Sequence, residues 1–355
     1  MPMNRLSDDH IRHLRELIGE PDLAGTQFEL IREIAVGGMG TVYLVRDREL
    51  ERPVALKVLS VPDGLGALTA RIIREAKTVA QLEHPGIVPV HAVGRLPDGR
   101  VYYAMKFVEG KTLDEFRRTQ DSLSVLLRIF EKICETVQFA HSRGVLHRDL
   151  KPSNIMVGPF GEVLVMDWGI ATRVTESAQS PVREADVRKV PSDSGEKLVH
   201  TAHGTVLGTP AYMSPEQAQG RIDDLDCRTD VYGLGAILYF LLTGKEPYSD
   251  ASVDAILARV AAGELRRPRD LSHAVPKRLE ATCLKAMARD PERRYDSAAG
   301  LASDVTLYLD GQPVSAYRES VVEKSARWLG RNQFVVFVIL AYIIVRLIIL
   351  FWRGV

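Results

Sequence analysis

Apolar positions along the chain change their spacing several times, and each change marks an element. Ile11, Leu14, Leu17 and Ile18 recur at helical spacing behind a Ser7-Asp8-Asp9 cap, so a short amphipathic helix is expected inside an N-terminal extension over 1–27. Phe28 to Ile34 then reads as a strand, and Ala35 to Val45 turns through glycines into a second. Val54 to Leu59 gives a third strand with one lysine, Lys57, among apolar neighbours. A helix is expected from about Leu68 to Leu82, broken by His84-Pro85, with strands following at Ile87 to Val93 and Val101 to Phe107. Thereafter the spacing is helical at Leu113 to Phe116, Leu123 to Ala140 and Asp230 to Leu242. Short apolar runs lie between the helices. Val145-Leu146 is one, and Ile155 to Val157 with Val163 to Met166 reads as a hairpin through Gly158 and Gly161.

Phe334 to Trp352 differs in kind, being apolar on every side. Its 19 residues would span about 28 Å as a helix, close to a bilayer hydrocarbon core. Arg346 opposes insertion by about 2.5 to 3.5 kcal/mol, but the Phe, Val, Ile and Leu residues each favour it by about 0.3 to 0.6 kcal/mol, and their sum prevails. A transmembrane helix over 334–352 is therefore expected, after a juxtamembrane segment over 313–333. Lys324, Arg327 and Arg331 before the span, with Trp328 near the interface, put the rest of the chain on the cytoplasmic side. The alternative is a buried or dimer-forming soluble helix, which would have to hide an apolar surface all round.

With 355 residues, 46% of them hydrophobic, the chain can bury a large core. Formal net charge is +0, and Lys and Arg are matched by Asp and Glu along the chain, so nucleic acid is not an expected partner. Cys134, Cys227 and Cys283 are far apart and odd in number, which argues against a disulfide framework or a zinc cluster. Charges between Met1 and Glu20 leave no apolar run of the kind a signal peptide requires.

The chemistry gathers between His141 and Gly169. Asp149, Lys151 and Asn154 lie at spacings that can bring them together, and the hairpin after them ends at a second carboxylate, Asp167. Two carboxylates and an amide at the ends of short strands suit a hard cation, magnesium on a nucleotide being the commonest. The glycines after Ala35 would let backbone amides approach phosphate oxygens. An unpaired ammonium at Lys57 would be costly, so a carboxylate partner is expected, and Glu75 is the one offered by the following helix.

The string HRDLKPSN from His147 to Asn154, followed by Asp167-Trp168-Gly169, resembles the catalytic loop and metal-binding triplet of the protein kinase family. The GGMG wording is similar to bacterial eukaryotic-like, or Hanks-type, serine/threonine members. The resemblance implies an α+β bilobal fold: a kinase domain over 28–312, with a β-rich N-lobe over 28–108 and a mainly helical C-lobe over 109–312. It implies ATP, with Ala35, Gly37, Gly38 and Gly40 in the phosphate-facing hairpin and Val42, Met105 and Val108 around the base. Ala35 departs from the usual glycine, a methyl compatible with a strand end. Lys57 would meet the α and β phosphates with Glu75 holding it, while Asn154 and Asp167 hold magnesium, or manganese in its place. Asp149 would take the acceptor proton and Lys151 neutralise the γ-phosphate, leaving His147 structural.

Trp168 stands where phenylalanine is familiar, still a large apolar plug. Lys151 two residues after Asp149, with GTPAYMSPE from Gly208 to Glu216, resembles the branch acting on protein serine and threonine. Thr209 would then contact Asp149 and Lys151, Arg294 would pair with Glu216, and Asp230 would cap its helix and hold the catalytic-loop backbone. Between Asp167 and Glu216 the polar segment Thr172 to Thr205 reads as a mobile loop. Thr201 and Thr205 near Arg148 suggest autophosphorylation, in trans within a homodimer. The rival is a nucleotide-binding pseudokinase scaffold recruiting partners to the membrane, against which the complete set of catalytic residues argues.

Overall fold

A computed structural model of the chain describes residues 19–37, 40–59, 73, 76–168, 172–173, 199–201, 204–206, 209–325 and 333–353. Gly38, Glu75, Gly169, the expected helix over 7–18 and the middle of the polar segment lie outside them. Five antiparallel strands come first: β1 (Phe28–Gly37), β2 (Gly40–Asp47), β3 (Arg52–Leu59), β4 (Val90–Arg95) and β5 (Val101–Lys106). They lie in the order β1-β2-β3-β5-β4. Alternation on β3 gives the sheet two different faces. Val54, Leu56 and Val58 pack with Phe28, Tyr43, Val45 and Ala104 on one side, where Leu23 and Leu96 join them. Ala55 and Lys57 fall on the other. The chain before Phe28 is thus tied into this lobe, and the Tyr43 hydroxyl donates to the Gly19 carbonyl at 3.3 Å.

The sequence places a strand from Ile87, but β4 begins at Val90. Ile87 instead forms an isolated bridge to Val165, and the Gly86 carbonyl accepts the Val165 N–H at 2.8 Å. Pro89 has no N–H to offer a ladder, so the chain crosses to the second lobe before the sheet resumes.

That second lobe is helical: α1 (Leu113–Thr119), α2 (Leu123–Ser142), α3 (Pro215–Ala218), α4 (Cys227–Thr243), α5 (Val253–Ala262), α6 (Lys277–Ala286) and α7 (Ala298–Leu309). Helix α2 buries Leu126, Phe130, Ile133, Val137 and Ala140, the stripe its spacing predicts. Helix α4 has no polar stripe and is buried at every position from Thr229 to Leu242, so it forms the lobe's axis. Its start differs from expectation. Asp226, in extended conformation, caps it by accepting the Arg228 N–H at 2.7 Å. Asp230 lies a turn further in, its carboxylate committed to the catalytic loop.

Short strands carry that loop: β6 (Lys111–Thr112), β7 (Val145–Leu146), β8 (Ile155–Val157) and β9 (Val163–Val165), with β8 and β9 the expected hairpin. In the polar segment, β10 (Thr172–Arg173) pairs with β7, and β11 (Val199–Thr201) pairs with β12 (Gly204–Val206).

After α7 the chain folds back. Asp304, buried, accepts the Ser315 N–H at 2.7 Å, the Ser315 hydroxyl at 2.9 Å, the Ala316 N–H at 3.1 Å and the Tyr295 hydroxyl at 2.6 Å. Residues 321–325 are helical, and Glu323 there accepts from Lys277 at 3.3 Å and from the Tyr317 hydroxyl at 3.0 Å. A last helix, α8 (Gln333–Arg353), closes the chain. Among the described residues no helix is long and apolar enough to cross a membrane. Within α8 the described side chains are those of 337–349 and Trp352.

Candidate active site

Strand β7 delivers the chain into His147-Arg148-Asp149, where the backbone leaves the extended region. Arg148 has φ 67°, a left-handed conformation that costs a side-chain-bearing residue about 1 to 3 kcal/mol. The surroundings offset that cost. The N–H groups of His147 and Arg148 each donate to Asp230 at 2.8 Å, and the Arg148 carbonyl accepts from Gln217 Nε2 at 2.7 Å. His141 Nε2 lies 2.7 Å from the same Asp230 carboxylate. Burial alone would push the Asp230 carboxyl up, but its hydrogen bond and charge interaction with His141, followed by those of His147, pull it below the ordinary carboxylate value.

Helix α4 approaches the loop closely at Gly233, where an added Cβ would stand 3.0 Å from Leu150 Cβ. His147 is fully buried and fixed at both ring nitrogens. The Asp149 N–H donates to Nδ1 at 3.2 Å, so Nε2 carries the proton it donates to the Met166 carbonyl at 2.9 Å. An imidazole engaged at both nitrogens in this way positions the loop and has no nitrogen left to act as a base.

Asp149 faces the cleft among donors. Asn154 Nδ2 reaches its Oδ2 at 3.1 Å and its carbonyl at 2.9 Å. The Thr209 N–H reaches Oδ1 at 3.3 Å, and Lys151 Nζ lies 3.3 Å from Oδ2 while donating to Thr209 Oγ1 at 2.8 Å. These residues therefore form one cluster around a single carboxylate. Because Asn154 spends its amide hydrogens on Asp149, its remaining function is an oxygen donor. Its backbone carbonyl accepts the Met166 N–H at 2.8 Å, which ties it to the end of β9.

There Asp167 adopts φ 54°, the second left-handed residue of the site, and meets Lys57 Nζ at 2.5 Å. Sheet register brings Lys57 there: it stands opposite Val42 of β2 and Tyr103 of β5. Burial opposes the lysine's charge, but Tyr103 and then Asp167 outweigh it and hold its pKa above the ordinary lysine value. Burial likewise opposes ionisation of Asp167, and the Lys57 ammonium overrides it, so that carboxyl sits below its ordinary value. Asp167 is thus a carboxylate partner of Lys57, while the partner expected for it, Glu75, lies outside the described residues.

Trp168 is buried, its ring 4.7 Å from that of His147 and its Nε1 donating to the Val165 carbonyl at 3.0 Å. The glycine hairpin closes with Gly37 opposite Gly40 and Ala35 opposite Val42. A Cβ on Gly40 would come within 2.3 Å of the Val58 carbonyl, so only glycine lets β2 pass there. Met105 pairs with Ala55, on the same sheet face as Lys57 by alternation, and Val108 lies just past β5. Glu216 and Arg294, both buried, are joined at 2.7 and 2.8 Å.

The donor set suits a hard cation. Asp167 keeps a second carboxylate oxygen on a side chain 41% exposed to the cleft, and Asn154 adds an amide oxygen. Such a sparse protein share is what magnesium accepts when phosphate oxygens complete its shell.

Three contributors escape inspection of the sequence. Tyr103, His141 and Gln217 reach the site through pairing or helix packing that no local signal announces.

A strand-rich lobe presenting a lysine above a helical lobe that presents an aspartate-centred loop and a strand-end carboxylate defines the kinase-type phosphotransferase fold. The protein kinase domain family matches residues 28–304, and the chain belongs to that family, in its bacterial Hanks-type branch. It is 38% identical over 305 residues to the serine/threonine-protein kinase PknD of Chlamydia caviae, covering 81% of this chain and 32% of that protein. Against PknD of Protochlamydia amoebophila it is 37% identical over 306 residues, 80% of this chain and 30% of the relative. For PknD of Chlamydia muridarum the values are 36% over 327 residues, 85% and 33%. The chain therefore spans about a third of the length of these curated relatives.

Proposed function

We propose that this chain transfers the γ-phosphoryl group of ATP to serine and threonine hydroxyls of proteins. The observation that carries this is the convergence of Asp149, Lys151, Asn154 and Thr209 in the helical lobe, with Asp167 of the same lobe meeting Lys57 of the sheet at 2.5 Å. Phosphoryl transfer passes through a loose transition state, so positioning and charge compensation account for most of the catalysis. Asp149, oriented by Asn154 and the Thr209 amide, accepts the proton of the acceptor hydroxyl. Lys151 offsets negative charge on the transferred group, and Thr209 fixes Lys151 beside the acceptor. Lys57 binds the α and β phosphates. Asp167 and Asn154 would hold magnesium, which would supply positive charge against the phosphate oxygens. Incubation of the full chain with labelled ATP, magnesium and a general protein substrate tests the proposal. Label is expected on serine and threonine of the substrate, and nucleotide binding without transfer would refute it.

The domain is tethered to the cytoplasmic face of a membrane by α8. Every described side chain from 337 to 349 is exposed, and a helix apolar on all sides with no protein cover suits lipid as its solvent. Arg346 has a partner within the helix, donating from Nε to the Tyr342 hydroxyl at 3.1 Å. Retention of the full chain in membranes through alkaline carbonate extraction is the expected result, and release would overturn the tether.

Phosphorylation of Thr201 or Thr205, in trans between two copies, raises activity. Support comes from their place on the β11–β12 hairpin, just ahead of the Thr209 that touches Asp149. Wild-type activity in a Thr201→Ala, Thr205→Ala double variant would rule this out.

A further inference from the structure

The peptide unit between Arg148 and Asp149 governs where the Asp149 carboxylate points, and the fold grips that unit at both ends. Its N–H donates to His147 Nδ1 at 3.2 Å, and its carbonyl accepts from Gln217 Nε2 at 2.7 Å. Asp230 holds the two units before it, through the amides of His147 and Arg148. Arg148, at φ 67°, is in a costly conformation, so the unit that follows depends on bonds of this kind. Packing gives less help there, because a cavity lined by Arg148, Asp149, Gln217, Thr229 and Asp230 opens beside it.

Gln217 is prepared for the task by its own helix. Its Oε1 accepts the Ser214 N–H at 3.0 Å, and the Ser214 hydroxyl accepts the Gln217 N–H at 3.4 Å, the capping box that opens α3. With the oxygen committed to a backbone donor, the amide nitrogen faces a backbone acceptor, and only one orientation of the amide satisfies both. A glutamate would complete the same box but would set a carboxylate oxygen against the Arg148 carbonyl. The cap accepts Glu or Gln, whereas the loop requires Gln. The same stretch touches Asp149 a second time, through the Thr209 N–H on Oδ1 at 3.3 Å. Thr209 to Gln217 thus grips the aspartate by its side chain and by the main chain before it.

We propose that Gln217 is a positioning residue for phosphoryl transfer: acting through the Arg148 carbonyl, it fixes the direction in which Asp149 meets the acceptor hydroxyl. This rests on the kinase reading above, and Gln217 takes no part in the proton transfer itself.

The test compares Gln217→Glu and Gln217→Met with wild type in the full chain, each alone and combined with Asp149→Asn. Turnover is counted per site that binds ATP in calorimetry. Glutamate keeps the cap and removes the donor, and methionine removes the donor without adding charge. In both, kcat is expected to fall about 10²-fold, the cost of misplacing a reacting group by about 1 Å, with the KM for ATP unchanged. Combined with Asp149→Asn, neither substitution should lower turnover further, because its effect passes through a carboxylate no longer there. The Asp149 amide should lose about fivefold in protection from hydrogen exchange, the worth of one hydrogen bond. Wild-type kcat in the methionine variant would overturn the proposal. So would an equal loss with and without Asp149→Asn, which is what a general weakening of the lobe produces. If the wild-type chain binds ATP and transfers nothing, the kinase reading fails and the amide decides by itself: faster exchange keeps Gln217 as the anchor of the loop, and unchanged exchange removes it.

Discussion

The two sides of the cleft are built differently. Asp149 stands on a loop whose backbone is bonded to Asp230, Gln217 and His147, and through them to an axis helix buried from Thr229 to Leu242. Lys57 stands on a five-stranded sheet whose core is a much smaller cluster, and among the described residues it meets the other lobe through an ion pair with Asp167. On the proposed function, the acceptor side would be held by the fold while the nucleotide side closes on its ligand, the asymmetry that admitting and releasing a nucleotide each turnover requires.

Five predictions bear on that contrast. The largest effect is expected at the acceptor side. Asp149→Asn keeps the side chain's shape, one acceptor oxygen for the Thr209 N–H and the backbone carbonyl bond from Asn154, but removes the base, so phosphotransfer is expected to fall about 10²- to 10⁴-fold with ATP binding unchanged by calorimetry. Weakened ATP binding would show that the two sides are not separable. Next comes Arg294→Ala, far from the chemistry but inside the scaffold. It strands the Glu216 carboxylate with both partners buried, and a loss of about 3 to 5 kcal/mol is expected in urea titration. A change under 1 kcal/mol would mean the helical lobe does not lean on this pair.

Lys57→Met should do the reverse. Asp167 is left on a side chain 41% exposed, so stability should change by less than about 1 kcal/mol while transfer is lost. Gly40→Ala pushes a Cβ to 2.3 Å from the Val58 carbonyl and is expected to raise the KM for ATP with a smaller change in kcat.

The smallest effect is in pH dependence. Asp230 and Glu216 are both held below their ordinary values, Asp230 against burial by His141 and Glu216 against burial by Arg294. A depressed carboxyl stabilises the fold fully above its unfolded value and loses that contribution as pH falls through its folded one. Stability should therefore be level near neutrality and decline below the ordinary values of 3.8 for Asp and 4.5 for Glu. Urea midpoints between pH 6 and pH 3 measure it, and in Glu216→Gln the decline should be shallower.

Much of this arrangement was legible in the residues because it is local. HRDLKPSN sets its own turn, and the alternation in Val54 to Leu59 assigns faces without reference to the rest of the chain. What escaped depends on distant partners. Asp230 was expected to cap its helix because an aspartate at a helix start usually does, yet Asp226 four residues earlier takes that task. Nothing near Ile87 discloses that it bridges to Val165. Lys57 visibly needed a carboxylate, but that Asp167 supplies it follows only from how the lobes meet.

Asp230 has one further implication. The amides it grips belong to the loop, but its own place is set by how α4 lies against its neighbours, with Gly233 allowing contact at Leu150. A small volume error along that helix, such as Gly233→Ala, would misalign Asp149 while most of the secondary structure survived. Turnover should then fade at temperatures where circular dichroism still registers a folded protein.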